Sequence, residues 1–345
     1  MLAQHSSQWL TTDVTVGINY RHNTLSSNFT NGFHDENRLG IYLQDEWLLT
    51  SGLRLISGVR YDLSSGITPT VSPRIALIVY PRKDHTVRLS YAEGFRPPTL
   101  VDRHLHFLNN VSRPLPKSVS VMGSSDLKPE HIRSYELGYQ GWFLKHRLRT
   151  RASIFYNELS DLIEFRGGTA PDLLPTVATN VGEAEIYGSE IGLEAWVTPW
   201  LRGFVNVTYQ DIEQKISEEN RRVGPEFKVN GGVRLDGPYG LSGEILVHYV
   251  EATTHPPIDV FSLFAPLGVE APPTHLNSYT LLNLRGGYRF WDDQAELAVS
   301  VFNALNDRHK EHPQGDSIGS RVMGWLTVKW GFAENFQRTI EGVTF

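Results

Sequence analysis

Cysteine is absent from the 345 residues, which excludes disulfide scaffolds, thiolate metal centres and cysteine nucleophiles. Long apolar runs are missing as well. The longest, Ile75 to Val79, covers about five residues, against the roughly 18 to 20 of a membrane-spanning helix. Nor is there a basic tract: 32 Lys and Arg face 38 Asp and Glu, for a formal net charge of −6. The phosphate neutralisation that gives nucleic-acid binders their affinity is therefore lacking, and nucleic acid is set aside as a partner. No apolar stretch flanked by positive charge and a small-residue cleavage site opens the chain, so no secretory signal is visible. Common catalytic signatures are missing too: there is no Gly-x-Ser-x-Gly elbow, phosphate-binding glycine loop or His-Glu-x-x-His. Glu183 and Glu185 follow strand alternation. The expectation is a protein that is not an enzyme and that needs no cofactor.

What the chain does have is period-2 alternation, the mark of strands with one apolar and one polar face. Leu282, Leu284, Gly286, Tyr288 and Phe290 alternate with Asn283, Arg285, Gly287 and Arg289. Val205, Val207 and Tyr209 alternate with Asn206, Thr208 and Gln210, and Leu326, Val328 and Trp330 with Thr327 and Lys329. About fourteen such segments are predicted, near 11–20, 38–48, 53–61, 73–80, 85–95, 131–142, 146–158, 184–197, 201–210, 226–236, 241–251, 279–290, 295–305 and 321–332. Their connections alternate between short turns (49–52, 81–84, 143–145, 198–200, 237–240, 291–294) and long links (21–37, 62–72, 96–130, 159–183, 211–225, 252–278, 306–320). A soluble sandwich has no reason to place every long loop at one end of its strands. A transmembrane β-barrel does, because its periplasmic turns are tight and its extracellular loops long. The fold expected is all-β, an antiparallel transmembrane barrel.

Tryptophan and charge placement agree with that architecture. Trp9, Trp47, Trp142, Trp196, Trp200, Trp291 and Trp330 fall near the inferred short-turn ends, where an interfacial aromatic girdle is expected; good strand propensity near hairpins is the plainer explanation. Arg54, Arg60, Arg88, Glu136, Arg285, Arg289, Glu296 and Lys329 share the polar parity. On a lipid face each Arg or Lys would cost about 2–4 kcal/mol at the midplane, so the lumen is where they are expected. Val205, Val207, Leu284, Tyr288, Val299 and Val328 are expected to face lipid. A soluble sandwich would show the same charge parity on its solvated side.

Particular stretches then resemble the TonB-dependent outer-membrane receptors. RLGIYLQDEW at 38–47 with LRLISGVRYD at 53–62, SPRIALIVYP at 72–81 with HTVRLSYAEGFRPPTL at 85–100, DLKPEHIRSYELGYQ at 126–140, NVGEAEIYGSEIGLEAW at 180–196, and VFNALNDRH at 301–309 are similar to that family's successive strand motifs, in its order. The resemblance implies a 22-stranded barrel filled by an N-terminal plug, in the outer membrane of a Gram-negative bacterium. It implies active uptake of a scarce nutrient, most often a ferric siderophore, energised by a TonB-ExbB-ExbD complex acting through the N-terminal part. Plug, coupling box and the first strands are not found in this sequence, so 1–332 is expected to be the C-terminal portion of such a barrel, followed by a polar tail at 333–345. A truncated reading frame, a split gene and closure into a smaller barrel are the alternatives, with the chain starting on the periplasmic side.

Candidate ligand-binding residues lie in the long links. His104 and His106, two apart, would point the same way on an extended chain, and they sit between Phe95-Arg96-Pro97-Pro98 and Ser124-Ser125-Asp126-Leu127. Haem receptors resemble this layout, and neutral imidazole suits iron, but solvated loop histidines are commoner. Arg113 and Lys117 could meet an anionic siderophore or lipid phosphate, and His309 and His312 are weighed in the same way. No metal site is assigned. A passive porin, a haem receptor, an adhesin and a soluble sandwich are the competing readings.

Overall fold

The computed structural model describes residues 2–9, 12–30, 32–110, 118–166, 176–216, 219–254, 275–313 and 315–329. Its strands are β1 (Leu2–Trp9), β2 (Thr12–Ser27), β3 (Gly32–Thr50), β4 (Leu53–Ser64), β5 (Ile67–Arg82) and β6 (His85–Arg96). A short helix, α1 (Leu100–His104), and a hairpin of β7 (His106–Asn110) and β8 (Ser118–Met122) follow. The chain continues with β9 (Glu130–Phe143), β10 (Leu148–Arg166), β11 (Thr176–Thr198), β12 (Leu201–Ile216), β13 (Glu219–Arg222), β14 (Phe227–Asp236) and β15 (Leu241–Val250). It ends with β16 (Thr253–Thr254), β17 (His275–Leu276), β18 (Tyr279–Phe290), β19 (Ala295–Phe302) and β20 (Arg321–Val328). Apart from the β16–β17 pair, all belong to one 18-stranded sheet. Its long strands follow one another as an antiparallel meander, and β1 and β20 are not paired to each other among the described residues.

The two faces differ chemically. Trp47, Leu55, Leu77, Leu89, Leu137 and Ile154 form one continuous cross-strand row from β3 to β10. Leu89 and Ile154 on this row are more than half exposed, at 57% and 56%. The chain exposes 22810 Å², where a compact globular protein of its mass would expose about 14,000 Å². Among the described residues the apolar face carries no second layer, and the polar face is covered only locally, by α1 at one rim. Buried apolar side chains are few and mostly small, such as Ala178, Ala295 and Ala298. An apolar face of this extent is stable only against an apolar solvent.

Connections are segregated as expected. Among the described residues one rim carries only turns of two to four residues, at 51–52, 83–84, 144–147, 199–200, 237–240 and 291–294. The long excursions, 97–129, 251–278 and 303–320, all leave the opposite rim. Two expectations need correction. Leu2–Trp9 is a strand paired with β2, which adds one to the expected count and turns the chain's start away from the tight-turn rim. The links expected at 21–37 and 62–72 are largely strand, since β2 and β3 pair as far as Ser27 and Gly32, and β4 and β5 as far as Ser64 and Ile67. Much of 159–183 and 211–225 is likewise strand. Beyond the apolar band neither face has to be hydrophobic, so pairing continues without the alternation that reveals it in sequence.

Backbone strain collects at the tight turns. Leu144, Lys145 and His146 adopt φ of 53°, 57° and 64°, and Trp291, Asp292 and Asp293 adopt 54°, 51° and 62°. These left-handed values cost roughly 1–2 kcal/mol per non-glycine residue, and the ladders on either side hold them.

Candidate ligand-binding surface

The excursion between β6 and β9 stands on two pinned feet. Pro97 and Pro98 remove two amide donors where β6 must stop pairing. Just before them, Arg96 clamps Glu130, the first residue of β9, through two hydrogen bonds. Glu130 is buried and also accepts the Ile163 amide at 2.8 Å. Asn180 closes the other side, donating to the carbonyls of Lys128 at 2.9 Å and Asp161 at 2.7 Å while accepting the Lys128 amide at 2.7 Å. The Phe-Arg-Pro-Pro, Leu-Lys-Pro-Glu and Asn-Val-Gly boxes are therefore one structural knot.

From these feet the excursion folds over the polar face. Thr99 caps α1 in a reciprocal box with Asp102. Glu36 of β3, 2% exposed, accepts from Arg38 at 2.7 Å, Arg103 at 3.3 Å and Asn23 at 2.8 Å. Arg103 also donates to the Ser65 carbonyl at 3.0 Å. His104 stacks on His34, with centroids 3.9 Å apart and planes within 11°. Burial, then the neighbouring His34 and Arg103, pushes the His104 pKa below its ordinary value.

The expected histidine pair does not form. His104 is the last helical residue of α1, whereas His106 opens β7 with its amide on the Phe29 carbonyl at 2.6 Å, so the two do not lie on one extended strand. Among the described residues no three His, Cys, Asp or Glu side chains converge as metal ligands would. His309 is buried, stacked 4.0 Å from Tyr279 and bonded through Nδ1 to the Asp307 carbonyl at 2.8 Å. It organises the β19–β20 connection, in which the Asn303 side-chain amide donates to the Asp307 carbonyl and accepts the Asp307 backbone N–H, both at 3.0 Å. His312 is exposed in the same connection. Arg113 and Lys117 lie outside the described residues.

Strand register puts Arg54, Arg60, Arg88, Glu136, Arg285, Arg289 and Glu296 on one face, and Lys329 follows the end of β20, its amide on the Gln294 carbonyl at 2.7 Å. Several are paired there: Arg54 with Glu46 at 3.3 Å, Arg60 with Asp62 at 2.6 Å and Arg285 with Glu296 at 2.6 Å. Val205, Val207, Leu284, Tyr288, Val299 and Val328 lie on the other. The polar face holds a concavity of about 630 Å³ in which Arg88 and Arg151 are balanced by Glu136 and Glu190. A second, of about 240 Å³, is bordered by Arg21, Arg38, Arg60, Asp62, Pro97 and Pro129.

The expected tryptophan girdle is corrected in part. Trp47 is on the apolar face, its indole N–H given to Asp45, and Trp200 and Trp291 are exposed at tight turns. Trp142 and Trp196, at the expected height, are on the polar face: their rings lie 5.2 Å apart, and the Arg149 guanidinium covers Trp142 at 5.6 Å. Parity with Glu136 and Glu194 was the signal for this. The Trp330 side chain and that of Trp9 lie outside the described residues. Counting tryptophans also missed an aromatic row nearer the long-loop rim: Tyr91, Tyr135, Tyr156 and Tyr187 are direct cross-strand neighbours on the apolar face. Tyr91 donates to Glu93, Tyr156 to Glu158 at 3.3 Å and Tyr187 to Asp211 at 2.7 Å.

Comparison with known proteins gives this geometry a context. The family described as TonB dependent receptor-like, beta-barrel matches residues 3–304. An iron-regulated outer membrane virulence protein of Vibrio cholerae serotype O1 is 26% identical over 216 residues, covering 59% of this chain and 32% of that protein. The ferric-pyoverdine 358 receptor of Pseudomonas putida is 24% identical over 223 residues, covering 59% and 24%. Among solved structures, the siderophore receptor PirA of Acinetobacter baumannii superposes with a TM-score of 0.75 at 17% identity, over 94% of this chain and 53% of that one. A mutant ferric enterobactin receptor of Pseudomonas aeruginosa, in complex with enterobactin, gives 0.74 at 16% identity, over 94% and 52%. The chain thus spans about half of these solved structures and a third or less of the curated relatives.

Proposed function

We propose, from the premise that this chain belongs to the TonB-dependent receptor β-barrel family, that it forms the wall of an outer-membrane receptor taking up a ferric siderophore. One observation carries the reading: α1 (Leu100–His104) is latched over the polar face at the long-loop rim, while the opposite face shows an unbroken apolar row. In this reading the Trp47–Ile154 row, with Val205, Val207, Leu284, Tyr288, Val299 and Val328, meets lipid. Arg54, Arg60, Arg88, Glu136, Arg285, Arg289, Glu296 and Lys329 line a water-filled or plugged interior, where their charges stay solvated or paired.

The long excursions then stand outside the cell and capture the chelate. A TonB-ExbB-ExbD partner supplies the energy through parts of the receptor other than this wall, because no strand of the sheet can move without breaking its ladders. The names of the similar proteins, an iron-regulated outer-membrane protein and receptors for ferric pyoverdine and enterobactin, support iron chelates over other cargo. The test is accumulation of radiolabelled iron, presented as siderophore complexes, by cells expressing the receptor. Uptake should stop when the proton gradient is collapsed, while surface binding persists. Accumulation that survives collapse of the gradient would refute active transport.

A further inference from the structure

The polar face is not polar throughout. Near the tight-turn rim one cross-strand row on it reads Trp142, Arg149, Glu194, Phe204, Gly232 and Leu246. Phe204 and Leu246 close over Gly232, where an added Cβ would fall 3.0 Å from the Phe204 ring and 2.5 Å from a Leu246 methyl. Trp325 of β20 is on the same face, opposite Ala298, and 46% exposed. Apolar side chains rimmed by charges in this way mark a surface that something covers. Beside Phe204 lies a third concavity, of about 240 Å³, bordered by Glu194, Arg202, Arg234 and Glu244. Arg202 and Arg234 are directly opposite each other on β12 and β14, a pairing that is unfavourable without a negative charge nearby. Arg234 has Asp236 at 3.2 Å, whereas Arg202 meets no carboxylate among the described residues.

β20 runs toward this same rim, where the Lys329 amide meets the Gln294 carbonyl. The tail that follows, 330–345, lies outside the described residues. Its sequence is polar overall but patterned: Phe332, Phe336 and Ile340 recur at i, i+4 and i+8, one face of a helix. Glu334, Arg338 and Glu341 fall on the other face, and Gly342 is a stop signal. A helix lying on a lipid surface would have a basic polar face, and this one is acidic on balance. We propose that 333–341 forms an amphipathic helix that turns inward and covers the Phe204–Leu246 patch of its own wall. From β20 to β12 is roughly five strand spacings of about 4.8 Å, or about 24 Å. An extended link over 330–332, about 10 Å, and a helix of about 14 Å together reach it. Glu341 then arrives beside Arg202 and supplies the charge that the arginine pair lacks. The inference needs only the facing of the sheet and is independent of the cargo.

The absence of cysteine from the chain makes the test direct. Thr339→Cys, beside the apolar stripe, is combined with Glu244→Cys on the polar face or with Ile245→Cys, its neighbour on the apolar face, which is 52% exposed. The double variants are made in the full receptor with no other cysteine present. Isolated outer membranes are treated with a short bismaleimide, and cross-linking is scored in heat-modifiable protein. Thr339→Cys should link to Glu244→Cys within one chain at least about tenfold faster than to Ile245→Cys, because docking raises the local thiol concentration on one face only. Adding Phe336→Glu should slow the favoured reaction severalfold while heat-modifiable mobility is kept. If Glu244→Cys does not assemble, Ser242→Cys on the same face takes its place. Faster linkage to Ile245→Cys would put the tail on the membrane side. A dimeric product would give the patch to a second copy, and no linkage at either position would leave it to another part of the receptor. Each of these three results overturns the proposal.

Discussion

Replacing Ile154 with arginine is the sharpest test of which face meets hydrocarbon. Ile154 lies six residues into β10, which starts at Leu148. At about 3.4 Å per residue that is roughly 20 Å along the strand, or about 15 Å of height at a 40° tilt, near the middle of a roughly 25 Å apolar band. An arginine there should cost about 2–4 kcal/mol, a roughly 30- to 700-fold shift against the assembled state. Its neighbour Ser153 points to the opposite face and pairs across the ladder with Glu190, so Ser153→Arg should be near neutral. Both variants are followed by heat-modifiable gel mobility of outer-membrane fractions and by urea titration in lipid vesicles. Ile154→Arg should leave little heat-modifiable protein, and Ser153→Arg should match the parent. Equal losses, or the reverse order, would refute the assignment of the faces.

Further outcomes follow from the rim. Glu36→Gln removes the negative charge shared by Arg38 and Arg103 and replaces one of its two acceptor oxygens with a donor, and breaking a pair this buried costs about 3 kcal/mol. Amide exchange in Leu100–His104 should rise about a hundredfold, and unchanged protection would count against the latch. Because burial holds the His104 pKa below 6.5, the released loop binds a proton more readily than the docked one. Docking is therefore complete above pH 6.5 and weakens as pH falls below it. Exchange of α1 measured across that range should show this, and His104→Gln should flatten it. At the other rim, Lys145 has φ of 57°, so Lys145→Gly should raise the urea midpoint by the equivalent of about 0.5–1 kcal/mol.

How legible the molecule was in its sequence depended on which residues carried alternation. Leu282 to Phe290 and Val205 to Tyr209 declare their faces because one side must be apolar, and their strands lie where expected. The outer ends of β2 and β3, as at His22–Thr24 and His34–Asn37, are polar on both sides, and only their backbone pairing reveals them as strand; those of β4 and β5 are interrupted in sequence by Ser64-Ser65-Gly66 and Pro69. Leu2–Trp9 carries too few apolar residues to stand out. The motif boxes were legible as resemblance, but their use was not: that Arg96, Glu130 and Asn180 meet is a consequence of β6, β9, β10 and β11 lying side by side. His34 and His104 stack although they lie far apart in the chain, and no linear pattern joins them. Single-residue features such as tryptophan position misled at Trp142 and Trp196, where parity with neighbouring charges was the better guide.

The tyrosine row has a consequence for how the receptor sits and moves. Tyr91, Tyr156 and Tyr187 each grip a carboxylate just beyond the apolar band. Sinking the wall by a single pleat would drag Glu93, Glu158 and Asp211 toward the oil, and raising it would strand the leucines beneath. The row acts as a waterline, fixing immersion depth to within a few ångströms. In the reading proposed above, a wall moored in this way keeps one depth in the membrane and does not work as a piston.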